Sequence, residues 1–259
     1  MNKQVGGDGT VGKALEVLDM VASFEKPVRF SDLLEQSAYP KATLYRFLQV
    51  LANQGMLYHD PDHGTYSLGM RLMRLAHSAW NNASLAVIAK DHANELARES
   101  GETVHLAQID DGHVLFVDKM KTSDRIETLA KVGMVAPAYC TGVGKAMLAF
   151  MAPKRLEIVL QQQSYFQYTQ NSHRSANSVL EELQQIRAEG VAFDREEHED
   201  GIISIAAPIL ATTGRVVGAI SVATSTTRHS LTSLEQFKPA LLRAARKIGE
   251  DATSWQFPA

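Results

Sequence analysis

Phe30-Ser31-Asp32-Leu33-Leu34-Glu35-Gln36-Ser37-Ala38-Tyr39-Pro40-Lys41-Ala42-Thr43-Leu44-Tyr45-Arg46-Phe47-Leu48-Gln49 is the stretch that decides how the first part of this 259-residue chain folds. Residues 31–36 read as a short helix and residues 37–39 as a turn. Pro40 suits the first position of a second helix, where its missing N–H would have had no intrahelical partner. Leu44, Phe47, Leu48 and Leu51 then recur at i, i+3, i+4 and i+7, one apolar stripe, and Lys41, Tyr45, Arg46 and Gln49 occupy the opposite side. Gln54-Gly55 ends that helix. Residues 56–59 and 65–68 read as strands joined by Asp60-Pro61-Asp62-His63-Gly64, a small wing. Val11, Ala14, Leu15, Leu18, Val21 and Ala22 form a supporting helix upstream. Helix, turn, helix and hairpin in that order describe a winged helix-turn-helix. Its second helix lays side chains against base edges and phosphates of the DNA major groove. The competing reading is a winged helix that binds another protein.

Composition frames this motif. A chain with 45% hydrophobic and 21% charged residues is an ordinary globular protein, long enough for two domains. No apolar run approaches the ~20 residues of a membrane span. The polar, glycine-rich residues 1–9 are unlike a signal peptide and are expected to be disordered. Cys140 is the lone cysteine, so an intrachain disulfide is excluded and a reducing cytoplasm fits. The net charge of −3 disfavours bulk binding to nucleic acid. Between Pro40 and Leu75, Lys41, Arg46, Arg71 and Arg74 outnumber Asp60 and Asp62, a locally basic stretch that favours specific sites over unspecific attraction.

The expected fold is α+β: a winged helix-turn-helix over 10–69, a linker helix over 70–83 and a larger unit over 84–252. Leu72, Leu75, Ala76 and Ala79 form the linker's apolar stripe, which Asn81-Asn82 breaks. In the larger unit a helix is expected over 84–99 and strands over 103–109 and 114–119 around Asp110-Asp111-Gly112-His113, which has hairpin-turn chemistry. Residues 127–132 read as extended. Helices follow over 142–150 and 153–163. Ser178-Val179-Leu180-Glu181 is a capping box. Strands are expected over 191–196, 204–210 and 216–223, and Thr232-Ser233-Leu234-Glu235 opens a final helix. Helices on a mainly antiparallel sheet match, by analogy, sensor domains of the GAF type.

Segments spread along the chain carry a family resemblance. They include Gly12-Lys13-Ala14-Leu15-Glu16-Val17-Leu18, Pro40-Lys41-Ala42-Thr43-Leu44-Tyr45-Arg46-Phe47-Leu48, Tyr66-Ser67-Leu68-Gly69, Ala138-Tyr139-Cys140-Thr141-Gly142-Val143-Gly144-Lys145, Asp194-Arg195-Glu196-Glu197 and Gly201-Ile202-Ile203-Ser204-Ile205-Ala206-Ala207-Pro208. Taken together the chain resembles the IclR family of bacterial transcription regulators, and especially members responding to sugar acids such as 2-keto-3-deoxygluconate. The resemblance implies that Lys41, Ala42, Thr43, Tyr45, Arg46 and Gln49 face operator DNA. Ala42 departs from the serine that many members carry, and Ser204 from a common cysteine.

Thr141-Gly142-Val143-Gly144-Lys145 begins a helix. Thr141 suits the N-cap, and first-turn N–H groups with the helix dipole favour an anion. An ordinary helix start packed by glycine is the plainer alternative. The resemblance implies an effector pocket of Thr141, Gly142 and Val143 with Asp194, Ile202, Ser204 and Ser221, covered by Arg125 and Thr128. The expected partners are double-stranded operator DNA, a small organic acid and further copies of the chain, as a dimer or a dimer of dimers. One recognition helix reads only a few base pairs, and a symmetric pair spans two half-sites. No cofactor is expected. Cys140 near a helix start invites a nucleophile hypothesis, but no cysteine-hydrolase motif surrounds it. Apart from His59 and His63 in the wing, the nine histidines show no HxxxH or other metal spacing, so no metal and no catalytic residue are expected.

Overall fold

The structure is a computed structural model that describes residues 9–83, 85–121 and 128–252. Residues 1–8, Ser84, Arg125 and Glu127, which carried sequence expectations, lie outside the described residues. The chain separates into two compact units at residues 82 and 83.

In the first unit α1 (Gly9–Ala22), α2 (Phe30–Gln36) and α3 (Lys41–Asn53) share one core with a small antiparallel sheet. Its strands are β1 (Val28–Arg29), β2 (Leu57–Asp60) and β3 (Thr65–Leu68), in the order β1-β3-β2. The α3 stripe is buried as its periodicity requires: Leu44, Phe47, Leu48 and Leu51 meet Val28, Leu33, Leu57 and Tyr66. Pro40 is the N-cap rather than the first helical residue. Its ψ of 147° is extended, and its carbonyl accepts the N–H of Thr43 and Leu44. The upstream helix also turns a different face inward. Ala14, Val17, Leu18 and Val21 meet the core, whereas Val11 and Leu15 are 72% and 49% exposed. Ala14, Val17, Leu18 and Val21 follow helical spacing along the side that meets α3 and β3, and Val11 and Leu15 lie off that side.

The wing turn is held by Asp60, whose Oδ1 accepts the N–H of Asp62 at 2.9 Å and of His63 at 3.2 Å. After β3 the chain returns to the end of α3. A Cβ on Gly69 would stand 2.2 Å from the Gly55 carbonyl oxygen, so only glycine allows this approach. There α4 (Met70–Ala83) starts. Arg71 donates from Nη1 to the Gln54 carbonyl and to the Gln54 side-chain oxygen, both at 3.0 Å, covering the negative end of α3. Asn81-Asn82 does not break α4, because asparagine lowers helix propensity by well under ~1 kcal/mol per residue.

The second unit is a six-stranded antiparallel sheet with helices on both faces. After α5 (Ala86–Ser100) come β4 (Thr103–Asp110), β5 (His113–Met120), β6 (Val135–Pro137), α6 (Gly142–Ala149), α7 (Pro153–Gln162) and α8 (Ala176–Glu189). Then follow β7 (Ala192–Arg195), β8 (Ile202–Leu210), β9 (Val216–Ser225), α9 (Leu231–Leu234) and α10 (Lys238–Asp251). The strand order is β6-β5-β4-β9-β8-β7. No strand forms over residues 128–132, where an extended segment was expected. Lys119 Nζ takes the carbonyls of Thr128 at 3.3 Å and Ala130 at 2.7 Å, so those groups serve a side chain instead of a ladder. The edge strand forms later, with Val135 opposite Leu115. Two caps also move. Ser175, not Ser178, caps α8, and a reciprocal Ser230–Ser233 box opens α9, with a 3-10 turn before α10.

Residue size divides the sheet faces. Ala107, Ala192, Ala206 and Ala219 lie on the face that receives α6. Ile205, Ile220, Val222 and Leu106 are buried outside that cluster, on strands that meet α5 and α10. Alanines keep one surface shallow and allow α6 to sit close. Gly144 makes the approach closer still, since a Cβ there would lie 2.4 Å from the Ala138 carbonyl oxygen. Every residue of α6 is buried.

Candidate functional site

Two groups of residues are candidates, one in each unit. On α3, Lys41, Ala42, Tyr45 and Arg46 are exposed, and Thr43 and Gln49 are half-buried. Tyr45 stacks edge-on against Phe30, with ring centroids 6.0 Å apart, and the Arg46 guanidinium lies over Phe47. Both contacts restrict long side chains that remain open to solvent. The Gln49 side chain lies beside Tyr66 of β3. Arg71, counted with the basic patch, is engaged at the end of α3.

In the second unit the strand register assembles the other group. Cross-strand partners share a sheet face. The pairs Asp194–Ser204, Ala206–Ser221, Ser221–His105 and His105–Lys119 therefore line one face across β7, β8, β9, β4 and β5. Ile202 stands two residues before Ser204 on that same face. This is the alanine face, and the start of α6 lies on it: a Cβ on Gly142 would meet Ser204 Oγ at 2.8 Å and Asp194 N at 3.4 Å. Thr141 is the N-cap, as its spacing suggested, accepting from Gly144 N at 3.3 Å and donating to the Pro137 carbonyl at 2.9 Å. Val143 is buried in the following turn. Thr128 is also buried. Its Oγ1 lies 3.1 Å from His105 Nε2 and accepts from Lys119 Nζ at 2.8 Å. Leu129 N donates to Glu199 Oε2 at 3.0 Å, so the segment carrying Thr128 is tied to both the β5 side and the β7–β8 connection.

His105 and Lys119 were absent from the sequence-derived set. Their placement follows from the hairpin, but a register shift between Leu106 and Ala107 hides it from simple counting.

The charges around α6 are organised by Lys145, which is fully buried. Its Nζ donates to both oxygens of Glu182 at 2.9 Å and to Glu197 Oε1. Burial would raise the Glu182 carboxyl, but the His173 hydrogen bond, Lys145 and Arg195 together outweigh it and bring it to about 2. Glu197 N donates to Asp194 Oδ1 at 2.9 Å. Burial first, and the Glu197 charge second, push Asp194 up to about 7, so its carboxyl can both donate and accept near neutrality. Burial also raises the Cys140 thiol, with Asp194 and Glu197 adding to it. A thiol kept protonated in a hydrophobic cluster is no nucleophile. An open cleft of about 870 Å³ lies elsewhere, lined by His173, Glu182, Arg195, Glu197 and Arg228 among others and by none of the sequence-derived ligand residues.

Comparison with known proteins agrees with this division. Residues 77–250 match the family described as bacterial transcriptional regulator IclR C-terminal, and residues 10–61 match the IclR helix-turn-helix domain. The HTH-type transcriptional regulator KdgR of Escherichia coli (strain K12) is 28% identical over 258 residues, covering 100% of this chain and 98% of its own length. The crystal structure of Thermotoga maritima IclR is 27% identical with a TM-score of 0.74, covering 94% of this chain and 98% of that one. An IclR homolog from Microbacterium hydrocarbonoxydans, complexed with 4-hydroxybenzoate, has a TM-score of 0.78 at 23% identity, covering 94% and 98% of the two chains, a likeness of fold. These families and relatives are transcriptional regulators, not enzymes. Among the described residues no helix is long and apolar enough to cross a membrane.

His105 generates a prediction. Burial, and then the Lys119 charge, hold its imidazole down at about 3, well below the ordinary 6.5. The native state thus binds fewer protons than the unfolded chain between those values. Its contribution to stability is present above pH 6.5 and is lost as pH falls toward 3, at up to ~1.4 kcal/mol per pH unit. Urea unfolding of His105→Gln is expected to lose less stability between neutral pH and pH 5 than the parent chain does. Parallel losses would show that His105 is not a source of acid sensitivity.

Proposed function

We propose, from the premise that this chain belongs to the IclR family of bacterial transcriptional regulators, that it binds operator DNA through the outer face of α3 and responds to a small organic acid held where α6 begins. The observation that carries the DNA half is the division of α3. Leu44, Phe47, Leu48 and Leu51 are inside while Lys41, Tyr45 and Arg46 are outside, so the winged helix needs none of the outward side chains for its core. Those side chains offer a phosphate-binding charge, an aromatic and a guanidinium that suits the guanine edge.

The ligand half rests on the polar row beside Gly142. First-turn N–H groups of α6 suit a carboxylate. Ser204, Ser221 and Asp194 offer hydroxyls and a carboxyl that suit the hydroxyl-bearing chain of a sugar acid, with a short keto acid as the other candidate. Thr128 covers this row, and Ile202 extends it. Arg125 belongs to the same reading on family resemblance. Bulk at Gly142 would be a poor test of the pocket, because its Cβ would strike Ser204 and disturb the seat of α6.

A symmetric oligomer completes the reading, as a dimer or a dimer of dimers. Val11 and Leu15 of α1, and Met73 and Leu75 of α4, are large apolar side chains left exposed in the first unit. A ligand acts on such an assembly by favouring one spacing of its two recognition helices, which requires different affinity for the two arrangements.

Three measurements test this. In anisotropy titrations on promoter DNA, Arg46→Ala is expected to weaken specific binding by ~1–3 kcal/mol. Unchanged, salt-independent binding by the Lys41→Ala, Arg46→Ala double variant would favour a protein-binding winged helix instead. A thermal-shift screen of organic acids is expected to find a stabilising ligand, since binding to the folded state alone raises its stability. Ser204→Ala with Ser221→Ala should abolish that shift and leave DNA binding intact; a full shift in this double variant would move the ligand elsewhere. Sedimentation is expected to show a dimer or larger species, and a monomer that protects a single half-site would remove the spacing mechanism.

A further inference from the structure

The network around Lys145 has a side that the DNA and effector readings leave unused. His173 Nε2 lies 2.7 Å from Glu182 Oε2 and 3.7 Å from Glu197 Oε2. These three atoms all stand within 4.8 Å of one another, and their residues line the open cleft. They come from the segment before α8, from α8 itself and from the β7–β8 connection.

Ser178 Oγ lies 3.1 Å from His173 Nδ1 and 2.9 Å from the Ser175 carbonyl, to which it can donate. When it does, Nδ1 is the donor toward Ser178, and Nε2 faces a carboxylate oxygen of Glu182 2.7 Å away, a pair that either a proton or a metal ion between them would satisfy.

Glu197 distinguishes the two. Its side chain is 3% exposed, and Oε1 is taken by Lys145, yet Oε2 is buried with no hydrogen-bond partner. A proton on Nε2 serves Glu182 and still leaves Glu197 Oε2 outside hydrogen-bond range. A metal ion serves all three. Ligand atoms ~2.0–2.2 Å from a tetrahedral ion stand roughly 3.3–3.5 Å apart; the two separations from His173, 2.7 and 3.7 Å, fall on either side of that value, and all three atoms lie within 4.8 Å of one another. A partner on the far ring nitrogen, here Ser178, is the usual support of a metal-binding histidine.

We propose that His173, Glu182 and Glu197 form a binding site for a divalent transition-metal ion of the zinc class, with its remaining coordination position open to the cleft. One imidazole with two carboxylates favours such an ion over magnesium or calcium, which prefer oxygen alone. Lys145 and Arg195 already offset the two carboxylates, so the affinity is modest and the ion is exchangeable. The three ligands are 9 and 15 residues apart in sequence, outside every short metal-binding spacing, so linear spacing does not reveal them.

The test is zinc titration of the full chain after chelator treatment and dialysis, read by calorimetry and repeated with cobalt(II) absorbance. One saturable equivalent per chain is expected. His173→Ala should weaken it at least tenfold, and Ser178→Ala by roughly 10–100-fold as a supporting residue. His63→Ala, in the exposed wing, should leave it unchanged. Glu197→Gln also takes a charge from buried Lys145, so circular dichroism and DNA binding accompany every variant and His173→Ala decides. In a nitrogen-detected spectrum zinc should shift the Nε2 resonance of His173 and remove its proton. Absence of saturable binding, equal binding by His173→Ala, or a ring that keeps both protons with zinc present would each overturn the site and assign the position to a proton.

Discussion

The close seat of α6 on the alanine face of the sheet is the constraint on which the second unit depends. Ala107, Ala192, Ala206 and Ala219 make that face shallow, and Gly144 lets the helix start pass the Ala138 carbonyl where any Cβ would collide. A helix so deeply placed has no solvent side, yet Lys145 lies on it. A buried ammonium is tolerable only when paired and hydrogen-bonded. Glu182 and Glu197 supply that pairing from two other elements. The seat of α6 thus draws α8 and the β7–β8 connection inward, and with them Asp194, His173 and Arg195.

The same geometry concentrates polar groups on one part of this face. Alanines under the body of α6 leave no room, but beyond its first turn the face carries Ser204, Ser221, His105 and Lys119 in strand register. Lys119 draws the Thr128 and Ala130 carbonyls over them, which both prevents a strand there and covers the row. Buried polar groups of this kind are costly unless satisfied, and Thr128 Oγ1 serves both His105 and Lys119.

In the first unit the governing interaction is simpler. The apolar stripe of α3 is consumed by the core, and Arg71 covers the carbonyls at its end. The helix is held from behind and from its C-terminus, and its outer side chains Lys41, Tyr45 and Arg46 stay open to solvent. Sequence periodicity made α3 legible because an amphipathic helix on a small core leaves little choice of face. It misread α1 because an apolar stripe records what can be buried, and only the neighbouring surface decides which residues are. Val11 and Leu15 belong to that stripe and lie off the side that meets α3 and β3.

By itself the sequence determined what local chemistry dictates: the winged helix-turn-helix order, the α3 stripe, the Thr141 cap, the strand alternation and the family pattern running through both units. Each rests on residues within a few positions of one another. Tertiary structure alone decided which strands pair and in what register, and so which polar residues share a face. It placed His105 opposite Ser221, moved the edge strand to Val135–Pro137, and brought Lys145, Glu182 and Glu197 together. It also gathered His173, Glu182 and Glu197 around one point. The physical reason is that burial and pairing are properties of surfaces meeting across the fold, and a linear spacing records neither the depth of a side chain nor the charge that lies against it.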